Sequence, residues 1–185
     1  PADHQATFAY RNGILWEYWL NVGYGNAVAD LTNNVNYPYN PSGREHCTLF
    51  EARTNWADAY GGRMRGYITP TVTGDYWFYI ASDDNGQLWL STDSNPANRS
   101  RIAYVPGWTN SREWTKYAQQ KSALVHLVAG TRYYVEALMK EGGGGDNLAV
   151  AWQREGAEFD ALPIAGEFLT PYVDPVNTLL ITPGV

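Results

Sequence analysis

The feature that most constrains this chain is a recurring alternation of side-chain character with a period of two. In GDYWFYIA, Tyr76, Phe78 and Ile80 fall on one side while Trp77 and Tyr79 fall on the other, the pattern of a strand with both faces occupied. RGYITP, QLWLS, LVHLVAG, TRYYVEALM and NLAVAWQ read similarly, and turn pairs such as Thr73-Gly74, Ala129-Gly130 and Glu155-Gly156 punctuate them. Short strands at regular spacing, separated by turns, predict an all-β antiparallel sandwich with long loops and little helix. The segment 10–21, YRNGILWEYWLN, can hold about one to three helical turns, but Gly13 and its aromatics oppose that. TNSREWTKYAQQ reads as a short helical turn or an ordered loop, opened by a capping residue at Asn110 or Ser111. Residues 30–46 read as a long irregular loop.

A chain of 185 residues fits one domain, placed here at residues 1–169, with 170–185 as a proline-bearing tail or linker. The net charge of -6 argues against nucleic acid or an anionic membrane surface as partner, and suits a cation or a neutral ligand. Cys47 is the single cysteine, so an internal disulfide framework is excluded, and its strand-like setting predicts a buried, unreactive thiol. No apolar run is long enough to span a bilayer. The chain reads as a piece excised from a larger secreted or cell-surface protein, monomeric as a fragment.

Two stretches carry the chemistry. ASDDNGQLWLS places Asp83 beside Asp84, where a turn needs at most one carboxylate. Taken alone, Asp-Asp-Asn-Gly is good hairpin chemistry. In EGGGGDNLAVAW, four successive glycines between strands waste backbone entropy unless the backbone must approach something closely. Two aspartates facing a glycine-rich loop with its own acid offer oxygen ligands only. Such a donor set suits calcium, which takes about six to eight oxygens, better than magnesium, which demands a stiffer octahedron. His4, His46 and His126 lie in separate segments with no paired spacing, so zinc is unsupported, and His126 reads as a sheet residue. The glycine run lacks the lysine and helix of a phosphate-binding loop. Glycosidases place two carboxyl groups about 5 to 9.5 Å apart across the scissile bond, and neighbours sharing one metal cannot take those opposed roles. Glu51, Glu113, Glu136 and Glu141 could supply a further acid, but nothing in the sequence marks them out. No enzyme is expected.

RGYITPTVTGDYWFYIASDDNGQLWLS, PGWTNSREW and AGTRYYVEALMKEGGGGDNLAVAWQ, in that order, resemble the PA-14 domain family over residues 8–168. The resemblance implies a β-sandwich module found in bacterial adhesins, fungal flocculins, glycosidases and toxins. In sugar-binding members, two consecutive aspartates joined by a cis peptide chelate calcium, and the ion accepts vicinal sugar hydroxyls. Asp83 and Asp84 match that pair. The glycine loop resembles the bacterial type, which implies Asp146 as a side-chain ligand, carbonyls from Gly143 and Gly144, and Asn147 bonding to the ion or the sugar. Gln87, close after the aspartates, could reach a ligand hydroxyl or equally sit on the surface, and Trp108 or Trp114 could stack on a sugar ring, though core packing or loop stapling suffices to explain each tryptophan. Trp89 and Trp152 are expected in the core, and Arg63 and Arg65 solvated or paired with acids. The resulting expectation is a calcium-dependent carbohydrate-binding domain, of the adhesin kind. Against it stand a non-binding structural or interaction module, and an accessory sugar-binding insert of a glycoside hydrolase.

Overall fold

The computed structural model describes residues 12–173, and the alternating segments form antiparallel strands in two sheets. In chain order the strands are β1 (Ile14–Trp19), β2 (Gly43–Cys47), β3 (Tyr60–Ile68), β4 (Gly74–Asp83) and β5 (Gly86–Ser91). They continue as β6 (Arg99–Val105), β7 (Val125–Leu127), β8 (Tyr133–Glu141), β9 (Asn147–Arg154) and β10 (Leu169–Pro171), and the one α-helix among the described residues is α1 (Val28–Thr32). The large sheet runs β2-β1-β3-β8-β5-β6, with β10 pairing along β3 beyond the end of β1, and the small sheet runs β7-β4-β9.

Period-two patterning decides what each face meets. Trp16, Met64, Val135, Ala137, Met139 and Leu88 point inward from the large sheet, against Phe78, Ile80, Leu148 and Val150 from the small one. The outer face of the small sheet is covered as well: Tyr79, Ala81, Ala149 and Ala151 pack with Trp114, and Tyr79 stacks on Phe159 at 4.5 Å. Both faces of β4 are therefore occupied, as its sequence predicts. The segment 109–121 that covers it is ordered loop ending in one short helical turn, Ala118–Gln120. Buried Gln120 fastens that loop by donating from Nε2 to the Ile80 and Glu113 carbonyls.

Three expectations are corrected. Residues 14–19 are strand rather than helix, because Ile14 and Trp16 drop into the core while the segment pairs with β2 and β3. The stretch 30–46 is not wholly irregular, since it holds the end of α1 and most of β2, fixed by the Arg44–Glu17 ion pair. The domain boundary at residue 169 falls inside β10, where Thr170 and Pro171 pair with Tyr67 and Gly66. Residues 174–185 of the expected tail lie outside the described residues.

On the outer face of the large sheet, fully buried Glu17 collects Arg44, Arg63 and Arg65. Burial alone would raise its carboxyl, but hydrogen bonds and charge from Arg65 and Arg63 hold it below the usual glutamate value. The arginines thus pair with an acid, as expected, although Arg63 is buried rather than solvated. Trp152 packs against the core, whereas Trp89 lies half-buried on the opposite face of β5 from Leu88 and Leu90. His126 sits on β7 and pairs with Asp75 at 2.9 Å. The Cys47 thiol, at the end of β2, is pushed up to about 12 by burial first and by Glu45, which leaves it unreactive.

Candidate functional site: an acidic cluster where two strands change sheets

Two connections cross between the sheets side by side at one end of the sandwich. Strand β4 leaves the small sheet through Asp83, Asp84 and Asn85 and becomes β5 of the large sheet, while β8 leaves the large sheet through 142–146 and becomes β9 of the small one. Pairing brings them together, with Asp83 opposite Asn147 and Gly86 opposite Met139. The Gly142 N–H donates to Asp84 Oδ2 at 3.1 Å, and the Lys140 N–H donates to the Asn85 carbonyl at 3.1 Å. The Asp83-Asp84 peptide is cis.

The glycine run is closely approached at Gly142 and at Gly145. A Cβ on Gly142 would stand 2.8 Å from the Tyr24 carbonyl oxygen, and one on Gly145 would stand 3.2 Å from Asn55 Oδ1. Gly144 has φ +119°, which side-chain-bearing residues rarely adopt. The segment 55–59 clamps the run from outside. Asn55 N–H donates to the Asp146 carbonyl, Ala59 N–H to the Gly142 carbonyl, and the Gly144 N–H to Asp58 Oδ1.

Within this frame, one carboxylate oxygen each from Asp83, Asp84 and Glu141 can lie within 4.8 Å of one another. Glu141 ends β8 on its inward-facing row, after Tyr133, Val135, Ala137 and Met139, and is fully buried. Neither of its oxygens has a hydrogen bond of good geometry. Burial first, then Asp84, Asp83 and Asp146, push its carboxyl up to about 7. Burial, Asp84 and Asp146 likewise raise Asp83 to about 6, against a weaker opposing pull from Lys116. The cation beside the cluster on β8, Lys140, is itself buried, and its Nζ is spent on the Gly23 and Glu141 carbonyls at 2.7 and 2.6 Å.

The expected site residues divide. Asp83 and Asp84 stand together with Glu141. Asp146 is buried, with Oδ2 accepting from the Trp56 and Ala57 backbone N–H groups at 2.6 and 2.9 Å, while its Oδ1 has no hydrogen bond of good geometry and the buried Tyr60 hydroxyl lies against the carboxylate. Asn147 donates from Nδ2 to the Thr109 carbonyl at 2.8 Å and leaves Oδ1 buried and unpartnered. Gly143 and Gly144 are exposed on the loop. Gln87 faces away from the core on β5, where its Oε1 accepts from Trp89 Nε1. Trp108 is half exposed, with Lys116 Nζ 3.0 Å from its ring centroid, and the next residue, Thr109, is bonded to the Ser82 backbone. Trp114 is buried packing, so it offers no ring to a ligand. In the sequence Glu141 is one of four unmarked acids, although the alternation of TRYYVEALMKE carries its inward row to that residue, directly before the glycines.

An all-oxygen set of a buried glutamate and two half-buried aspartates, with lone pairs left over, is chemically fitted to a hard cation such as calcium. Without one, ionising three neighbouring carboxylates in a partly desolvated site is unfavourable, which is what the raised Asp83 and Glu141 values express.

The model of the PA14 domain matches residues 10–161. A mouse N-acetyl-beta-glucosaminyl-glycoprotein 4-beta-N-acetylgalactosaminyltransferase 1 is 38% identical over 134 residues, covering 70% of this chain and 13% of that protein. Mouse fibrocystin-L is 28% identical over 147 residues, covering 76% of this chain and 3% of the relative. The chain thus spans only a small part of these curated relatives. Among solved structures, a PA14 sugar-binding domain from an RTX adhesin superposes with a TM-score of 0.65 at 12% identity, covering 88% of this chain and 99% of that one. The epithelial adhesin 6 A domain of Candida glabrata, in complex with Galb1-3GlcNAc, gives 0.57 at 15% identity, covering 90% of each chain. The sequence relatives are mammalian, so the bacterial placement suggested by the glycine loop gains no support from them. With its family model matched across most of its length and its sandwich shared with those neighbours, this chain belongs to the PA14 domain family.

Proposed function

We propose that this domain binds a carbohydrate through a calcium ion held by Asp83, Asp84 and Glu141, with the Oδ1 atoms of Asp146 and Asn147 beside them. The observation that carries the reading is Glu141, a fully buried carboxylate with no hydrogen bond of good geometry, set against the cis Asp83-Asp84 pair. When bound, calcium would supply open coordination positions for two vicinal sugar hydroxyls. The residues do the rest. Asp83, Asp84 and Glu141 neutralise the charge. Gly142 N–H fixes the Asp84 carboxylate, the 55–59 clamp keeps the loop rigid, and half-exposed Trp108, next to the Thr109 that bonds Ser82 and with Lys116 over one ring face, would offer its other face to a sugar ring. The sugar-binding neighbours share the fold and support this reading.

No catalysis is proposed. Three carboxylates converging within 4.8 Å share a centre and do not face each other across a bond. The domain would act as a recognition module of an extracellular or cell-surface protein, such as an adhesin, or as an accessory domain beside an enzyme, as the glycosyltransferase relative suggests. Single-site affinity of about micromolar to millimolar Kd, raised by multiple copies, fits such a role. Asp83→Ala with Asp84→Ala should abolish calcium-dependent binding on a glycan array while the fold persists; retained binding would sink the reading. The second reading, calcium as a brace only, draws on the tight 55–59 clamp and predicts a calcium effect on stability with no sugar response.

A further inference from the structure

The outer face of the large sheet carries a groove that begins at Asn85, beside the acidic cluster, and is lined by arginines along its length. Three adjoining cavities of about 350, 350 and 240 Å³ follow one another there. The first is lined by Asn85, the residue after Asp84, together with Gln87, Arg101 and Tyr104. The second shares Gln87 with it and adds Trp89, Arg99 and Glu136. The third shares Arg99 and Glu136 and ends among Arg63, Arg65 and Tyr172.

Strand register explains the floor. Across the sheet, Arg65 stands opposite Glu136, Glu136 opposite Trp89, and Trp89 opposite Arg101. On this face Arg44, Arg63, Arg65, Arg99 and Arg101 outnumber the strand carboxylates Glu17 and Glu136, in a chain whose net charge is -6. Glu17 is consumed by Arg44, Arg63 and Arg65. Glu136 is buried, accepts from the Tyr134 hydroxyl at 2.6 Å, and is 3.5 Å from Arg99. Arg101 has the Tyr104 ring at 4.6 Å and, among the described residues, no carboxylate within ion-pair distance. Exposed Arg101 therefore leaves uncompensated positive charge, and exposed Arg99 is met only by Glu136 at 3.5 Å, both beside half-buried aromatic rings.

We propose that this groove takes the acidic part, carboxylate or sulfate, of an extended glycan whose terminal sugar occupies the acidic end. The inference rests on the calcium-dependent sugar reading for the terminal sugar only. Arg99 and Arg101 meet the anion through charge-assisted hydrogen bonds, and Trp89 and Tyr104 present ring surface to the intervening sugars. A neutral chain gains nothing from the arginines, so the groove selects charge while the acidic end selects the hydroxyl pattern.

The test is a glycan array with neutral, sialylated and sulfated oligosaccharides in calcium and in EDTA, followed by titration of the ligands bound. In calcium, acidic glycans should bind about tenfold tighter than their neutral cores, with the advantage shrinking as salt rises. Arg99→Gln with Arg101→Gln, both exposed positions, should erase that advantage and leave binding of the neutral core unchanged. A larger gain for sialylated or for sulfated probes tells which anion the groove takes. Equal binding of acidic and neutral glycans, or an acidic preference that survives the double substitution, overturns the groove and leaves the terminal-sugar site standing. Acidic glycans bound equally in EDTA and in calcium would keep the groove and overturn the calcium reading. No binding to any probe overturns both.

Discussion

At the scale of single residues, Glu141 governs the behaviour of the site. A carboxyl raised from 4.5 to about 7 by burial and by Asp84, Asp83 and Asp146 keeps a proton in the folded state that the unfolded chain gives up. The cation-free domain therefore loses stability as pH rises from near 4.5 through about 7, and Asp83, raised from 3.8 to about 6, adds to the same slope. Thermal unfolding in EDTA should show the midpoint falling across that window. Glu141→Gln should flatten the fall and raise the midpoint at pH 7.5 in EDTA, while weakening calcium binding by at least about tenfold by titration calorimetry. A variant that binds calcium as the parent does would remove Glu141 from the site. Since the cation competes with those protons, calcium affinity should also drop as pH falls from about 7 through about 6. Elsewhere, Glu17→Ala leaves buried Arg63 and Arg65 without their carboxylate, and should cost about 3 to 5 kcal/mol in denaturant unfolding.

At the scale of elements, the site exists because two inter-sheet connections meet. Gly142→Ala drives a methyl to 2.8 Å from the Tyr24 carbonyl and presses on the loop whose N–H holds Asp84. It should cost about 1 to 3 kcal/mol in chemical unfolding and lower calcium affinity with it. Gly130→Ala, at positive φ but with no neighbour near its Cβ, should bear only a backbone cost and leave calcium binding intact. The same elements show what was legible beforehand. Alternation in GDYWFYIA and TRYYVEALM fixes their strands, because each face meets packed side chains. Asp83 and Asp84 are legible as an unexplained pair. Glu141 was not, since only the crossing of β8 between sheets turns the last inward position of a strand into the wall of a site. The strand at 14–19 was obscured because its aromatics fit either period, and only pairing with β2 and β3 decides it. The fate of Asp146 depends on backbone amides of Trp56 and Ala57, far away in sequence, which no local pattern announces.

At the scale of the whole molecule, the last described strand closes the sandwich. Buried Leu169 packs in the core, and Tyr172 lies 4.0 Å from the Arg65 guanidinium and stacks on Tyr67, so β10 ties the chain end to the face that bears the groove. A chain ending after residue 168 should unfold at a clearly lower temperature than one ending after residue 173; equal midpoints would show that β10 is dispensable. The domain gathers one cluster of acids at one end of the sandwich and a row of arginines along one sheet face, an arrangement suited to reading a glycan from its terminus inward. The most direct test is thermal unfolding in EDTA, in calcium, and in calcium with a panel of simple sugars. Binding to the folded state alone predicts a midpoint that rises with calcium and rises again with a vicinal-diol sugar, and neither rise in the Asp83→Ala, Asp84→Ala variant. A calcium rise with no response to any sugar would reduce the site to a structural brace. No response to calcium would contradict the account at its root and return Asp83 and Asp84 to a solvated turn.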